Sequence, residues 1–237
     1  MRRGPAAYAG TLDGHHRLMP SPPILPPWLV ALTLLIPSPS VAQAPLAPPA
    51  LPDTDPTGPT LSHLIVTGLD LGGVHIELDD GANLDSVKAR VGGELGDSGD
   101  AGGSARWLCL PGGPWAAPWL LWLESDEMGG GTTIMGFQWQ TVSAATRAYA
   151  HCGPPLALHV MVPHAVRLGM SQAALLGALG RPTAHVGDTI TFSYVREDTV
   201  AMMADTACYS PAVYNDVRAV LAGGRVARLL VWKVSVC

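Results

Sequence analysis

The chain has 237 residues, with 14 Lys plus Arg against 19 Asp plus Glu and a formal net charge of −5. That balance is mild and of the wrong sign for gripping a phosphate backbone, so no nucleic-acid partner is expected. Only 14% of residues are charged and 48% are hydrophobic, enough apolar material for a sizeable core.

Fourteen of the 22 prolines lie in the first 60 residues. Within that region Trp28 to Ile36 is a nine-residue apolar run, far short of the roughly 20 residues that span a bilayer. Small residues follow, as Ser40-Val41-Ala42 and Ala42-Gln43-Ala44, in the small-x-small pattern of a signal-peptidase site. Residues 1–42 are therefore expected to be a signal peptide, leaving Gln43 first, with a cut before Pro45 as the alternative. An uncleaved apolar anchor is the competing reading, and Met19 competes with Met1 as the start. No Cys follows the run to carry a lipid. Removal of Arg2, Arg3, Arg17 and Asp13 with the peptide leaves 11 basic and 18 acidic residues. Residues 43–60 read as a proline-rich, extended linker. The mature chain is expected in the periplasm or outside the cell, with no transmembrane span.

Next comes "GANLDSVKARVG", Gly81 to Gly92. Asn83 can cap a helix start, Val87 and Val91 share one helical face, and Gly92 can end the helix. A helix near 84–91 is expected. "WLLWLES" from Trp119 reads as a strand. In "GGTTIMGFQW" a Gly-Gly turn leads into a strand where Met135, Phe137 and Trp139 alternate with Gly136, Gln138 and Gln140. Between these strands "ESDEMGGG" groups Glu124, Asp126 and Glu127 beside a glycine loop, suited to a basic partner or a cation, or else a solvated hairpin tip. It lacks the oxygen-ligand spacing of a calcium loop.

The same grammar returns in "LGMSQAALLGALGRP", Leu168 to Pro182. Gly169, Ser171, Leu175, Leu179 and Gly180 stand 88 residues after Gly81, Asn83, Val87, Val91 and Gly92. A helix near 172–179 is expected, leaning on a sheet through Leu175 and Leu179, because two turns are not stable alone. "GGRVARLLVW" repeats the Gly-Gly turn and strand, with Trp232 standing 93 residues after Trp139. Its partner is "VYNDVRAVL", a strand or alternatively a helix. Internal duplication is the economical explanation. The expected fold is α+β: two tandem units, at 61–155 and 156–237, each a short capped helix packed on a small antiparallel sheet.

Cys109, Cys152, Cys208 and Cys237 all fall in the exported part, and an even count there favours two disulfides. One per unit pairs Cys109 with Cys152 and Cys208 with Cys237; bridges between the units are the alternative.

The helix string resembles the Gly-x-Ser…Leu-Gly-x-Pro helix of BamE-like (SmpA/OmlA) outer-membrane lipoproteins. Two such units in tandem resemble the β-lactamase-inhibitor-protein architecture. The resemblance implies short helices on one face of a sheet and a protein-binding surface on the other. It implies neither lipid anchoring, since the lipidated Cys is missing, nor any particular target.

Signatures of catalysis are not found: no GxSxG, Walker loop, HExxH or dinucleotide-binding glycine pattern occurs. His63, His75, His151, His159, His164 and His185 are read as surface or structural residues, although any could serve as a base. No catalytic residue, metal site or cofactor is assigned. Six tryptophans remain after the expected cleavage: Trp107, Trp115, Trp119, Trp122, Trp139 and Trp232. Trp139 and Trp232 are expected in the core. Trp115 and Trp119, with Glu124, Asp126 and Glu127, form the candidate binding surface, since Trp dominates protein-binding hot spots. The expected function is an exported, non-enzymatic module that binds an envelope or extracellular protein. The alternative is a small periplasmic hydrolase whose site no motif marks.

Overall fold

The computed structural model describes residues 46–50, 61, 63, 65–99, 104–114, 116–126, 130–143, 151–197, 201–203, 206–208 and 212–236, with the backbone alone at 197, 201–203, 206–208 and 236. The expected signal peptide and most of the linker lie outside these residues.

In chain order the elements are β1 (Gly68–Leu71), β2 (Val74–Glu77), α1 (Leu84–Val91), β3 (Glu94–Ser98), β4 (Ala105–Gly112), β5 (Trp119–Ser125), β6 (Gly136–Thr141) and β7 (Val160–Met161). After a single 3-10 turn at Pro163–Ala165 come α2 (Gln172–Leu179), β8 (Ala184–Val186), β9 (Thr189–Glu197), β10 (Ala201–Met203), β11 (Thr206–Cys208), β12 (Ala212–Ala222) and β13 (Arg225–Val236).

Both helices form where their caps dictate. The Asn83 side chain accepts from Asp85 N at 2.8 Å and Ser86 N at 3.4 Å, and Gly92 ends α1 at φ 86°. Ser171 Oγ accepts from Ala174 N at 3.2 Å, and Gly180 ends α2 at φ 85°. Each cap is also bridged to a Gly-Gly hairpin region, Asn83 to Thr133 and Ser171 to Arg225. Leu175, Leu179 and Val87 are buried as expected, whereas Val91 is only partly buried.

The expectation of two tandem α+β units does not hold: the molecule is mostly β. β3-β4-β5-β6-β13-β12-β9-β8 form one continuous eight-stranded sheet. The join is made by β6 and β13, which pair antiparallel from Arg228↔Gln140 to Trp232↔Gly136. Alternation along a sequence reveals a strand but not its neighbour, so separate small sheets were expected where one large sheet exists. The stretch at 213–221 lies in β12 and is strand, not helix. Two further sheets lay outside the expectation: the three-stranded sheet β2-β1-β7, whose β1–β2 hairpin turns on Gly72-Gly73 at positive φ, and the ribbon β10-β11.

The period of two gives the large sheet two distinct faces. Leu121, Leu123, Phe137, Trp139, Leu229, Val231, Val217, Ala219, Ile190 and Phe192 point to the first. The helices and the three-stranded sheet close this face, through Leu84, Val87, Leu175, Leu179, Leu69, Leu71 and Ile76. Asn215, fully buried, locks the entry to β1: its Oδ1 accepts from Ile65 N at 3.0 Å and Val66 N at 3.2 Å, and its Nδ2 donates to Val66 O at 2.9 Å.

The tryptophans solve a local problem in the sheet. Trp107, Trp119 and Trp232 each pair directly with a glycine on the next strand, Gly96, Gly112 and Gly136. Each indole ring fills the space a Cβ would take, which in Gly136 would lie 2.2 Å from Trp232 Cε3. This is aromatic cover of a strand glycine. Trp119 and Trp139 meet edge to face with centroids 6.2 Å apart. Trp139 is in the core as expected; Trp232 instead lies half-buried on the second face.

Cys109 and Cys152 form the expected disulfide, with Cα atoms 5.1 Å apart. Cys237 and the Cys208 side chain lie outside the described residues, as does their pairing.

Candidate functional site

The second face of the large sheet carries the chemistry. Its registers read Trp107-Glu124-Gly136-Trp232-Asp216 in one row and Cys109-Trp122-Gln138-Leu230-Arg218 in the next. One half is closed by a small apolar cluster of Trp107, Cys109, Leu120, Trp122 and Cys152, which the disulfide holds in place.

Across the centre runs a piece of the proline-rich segment, Leu46-Ala47-Pro48-Pro49-Ala50. Side chains of β5, β6 and β13 hold it through its backbone carbonyls. Trp122 Nε1 donates to Leu46 O at 2.9 Å. Gln138 Nε2 donates to Pro49 O at 3.1 Å. Arg228 Nη2 donates to Pro49 O at 3.1 Å and to Ala50 O at 2.7 Å. The same Arg228 nitrogen donates to Gln138 Oε1 at 2.9 Å, fixing the amide with its nitrogen toward the segment.

Beside the segment is a pocket of about 170 Å³, lined by Glu124, Gln138, Asp216, Arg218, Leu230 and Trp232 with the backbone of neighbouring strands. Glu124 Oε1 is shut off from solvent and has no hydrogen-bond partner. Burial pushes the Glu124 carboxyl up to about 7, opposed by a hydrogen bond from Gln138 and by the charge of Arg228. Burial lowers the Arg228 guanidinium from its ordinary value, with Glu124 acting the other way. Arg218 Nη2 meets Asp216 Oδ2 at 3.1 Å on the far wall.

The residues anticipated as a binding surface do not come together. Trp115 and Glu127 lie outside the described residues. Trp119 is buried on the first face, against Gly112 and Trp139. Glu124 points to the opposite face, in the pocket, and Asp126 is half-buried at the end of β5. Of the five, Glu124 alone belongs to the site found here. Trp122, Gln138 and Arg228 were missed as a group. Their signal was present: they are polar-tipped residues on the even face of central strands, where an uncovered sheet would otherwise be apolar or solvated.

Among the described residues no group of three His, Cys, Asp or Glu side chains is placed to hold a metal ion. Nor is any described helix long and apolar enough to cross a membrane. His75 is exposed and meets Asp70 at 3.0 Å and Glu77 at 3.6 Å on the β1–β2 hairpin, a surface cluster without a nucleophile. No protein-family model, curated protein or solved structure matches the chain.

Proposed function

We propose that the chain is an exported envelope protein that binds another protein, without catalysis, through the second face of its large sheet. One observation carries this reading: the face already holds polypeptide, taking the backbone of a segment about 76 to 179 residues distant in sequence with donors from three adjacent strands. Indole and guanidinium groups on a rigid sheet are among the anchors that protein interfaces use most. The proposed binding surface therefore comprises Trp122, Gln138, Arg228 and Trp232 with the Glu124 pocket. The apolar run ending in small residues supports export, and so does the Cys109–Cys152 disulfide, since disulfides persist in oxidising compartments.

The test is a photo-crosslinking amino acid at position 232 in the exported chain, with Asp188 as a control position on the β8–β9 turn. A discrete adduct from position 232 that is lost in the Arg228→Lys variant is expected. Absence of an adduct, or equal adducts from both positions, would refute the reading.

A further inference from the structure

We propose that the second face is a binding site for extended, proline-rich polypeptide, and that Leu46–Ala50 occupies it as an internal competitor which the partner displaces. The inference rests on the protein-binding reading above and names the chemistry of its partner.

The contact groups select for such a ligand. Pro48 and Pro49 have no N–H, so this segment offers the face chiefly carbonyl oxygens. The three side chains that touch the segment answer with donors. The Trp122 indole and the Arg228 guanidinium can only donate. The one acceptor among the three contact side chains, Gln138 Oε1, is already taken by Arg228 at 2.9 Å. An ordinary strand laid in the same place would bring N–H groups that these three residues leave unanswered, and a desolvated donor without a partner is costly. The spacing agrees. The carbonyls taken by Trp122 and Gln138 belong to Leu46 and Pro49, three residues apart. A polyproline II helix has three residues per turn, so these two oxygens fall on one side of it. Proline pre-orders that conformation and lowers the entropy lost on binding.

The internal segment is also weakly seated. Leu46, its one large apolar side chain, remains 39% exposed. Residues 47 and 50 are likewise exposed, and 48 and 49 only half-buried. The sequence tethers it through residues 51–60 to Leu61, whose amide donates to Ser193 O at 2.8 Å. A short tether of this kind gives an effective concentration in the millimolar range, enough to compete with a free peptide but not to exclude one of higher affinity.

The experiment uses the exported chain and a fluorescein-labelled synthetic peptide with the sequence of residues 43–54, read by fluorescence anisotropy. The P48G/P49G chain loosens the internal segment while leaving the sheet untouched. It is expected to bind the peptide about tenfold more tightly than the wild-type chain, because the internal competitor is weakened. Adding Arg228→Lys to that chain is expected to cost about tenfold, because the contacts all come from Nη2 at the guanidinium tip, which the shorter and more strongly hydrated lysine ammonium does not reach. A peptide whose prolines are all replaced by alanine is expected to bind about tenfold more weakly. Near-ultraviolet circular dichroism verifies that each variant keeps its fold. Equal affinity of wild-type and P48G/P49G chains, no effect of Arg228→Lys, or equal binding of the alanine peptide overturns the proposal. If the peptide fails while the position-232 adduct forms and depends on Arg228, the face binds protein of another kind and only this inference falls. If both fail, the protein-binding reading falls with it.

Discussion

Glu124 makes the site's electrostatics measurable. Its carboxyl has an ordinary value of 4.5 and is pushed up to about 7, chiefly by burial. A carboxyl that holds its proton more tightly when folded favours the folded state fully below the unfolded value, here 4.5, and loses that advantage as pH rises through about 7. Stability should therefore decline between those two pH values, the reverse of an ion-paired carboxylate. At about 1.4 kcal/mol per pH unit the whole difference is roughly 3 kcal/mol. Because the residue is half-buried and solvent screens part of the effect, about 1–3 kcal/mol is the expected loss. The charged groups sharing its pocket are Asp216 and Arg218 on β12, with Arg228 nearby on β13, and Asp216 and Arg218 already face each other at 3.1 Å.

Glu124→Gln keeps the shape and removes the titration. Urea unfolding of both proteins at pH 4 to 8 should give nearly equal stabilities at pH 4 and a Gln variant about 1–3 kcal/mol more stable at pH 8. Parallel profiles for the two proteins would mean that the Glu124 carboxyl is not desolvated as described.

The glycines give a paired test. Gly136→Ala would place a Cβ 2.2 Å from Trp232 Cε3 and 2.7 Å from Val231 O, so a loss of about 1–3 kcal/mol and a shift in tryptophan emission are expected. Gly177→Ala, in α2 with nothing within 4 Å of the added Cβ, should instead gain roughly 0.5–1 kcal/mol. Leu175→Ala removes a fully buried side chain and should cost about 2–5 kcal/mol in urea unfolding. Opening the Cys109–Cys152 bridge, which spans 43 residues of sequence, should lower stability by about 4 kcal/mol on the chain-entropy model, read by calorimetry of a double-alanine variant.

The legible parts of the fold were those with local causes. Helix α1 and helix α2 begin and end where Asn83, Gly92, Ser171 and Gly180 act on their own neighbours, and both spans were anticipated. The Gly223-Gly224 turn likewise forces a tight hairpin, since both residues sit at positive φ, 57° and 72°. What joins strands far apart in sequence was not legible. The pairing of Phe137 with Val231, which fuses the two halves into one sheet, leaves no mark in either segment alone. The site suffered the same way. Gln138 was correctly placed opposite Phe137 and Trp139, but Arg228 and Pro49 lie 90 and 89 residues from it. The tryptophans misled because Trp119 serves a glycine, Gly112, rather than a partner.

The two faces of the sheet are closed by unlike forces, and the difference argues for a working surface on one of them. The first face is sealed by interdigitated side chains that are almost wholly buried, among them Leu84, Leu175, Phe137 and Phe192. Each such side chain contributes about 1.5–3 kcal/mol by burial alone, so its cover leaves only when the protein unfolds. Leu46–Ala50 is held on the second face by four hydrogen bonds from Trp122, Gln138 and Arg228. At about 0.5–1.5 kcal/mol each, these contribute roughly 2–6 kcal/mol. Ordering five residues costs about as much, reduced where proline has already fixed φ. The segment is thus seated by only a small margin, the tenfold gain expected of the P48G/P49G chain corresponding to about 1.4 kcal/mol. A partner binding at 1 μM brings about 8 kcal/mol, ample to displace it and far too little to dislodge the helices. A polar row on central strands would be a poor way to finish a core, but it is an economical way to hold a backbone that must be let go.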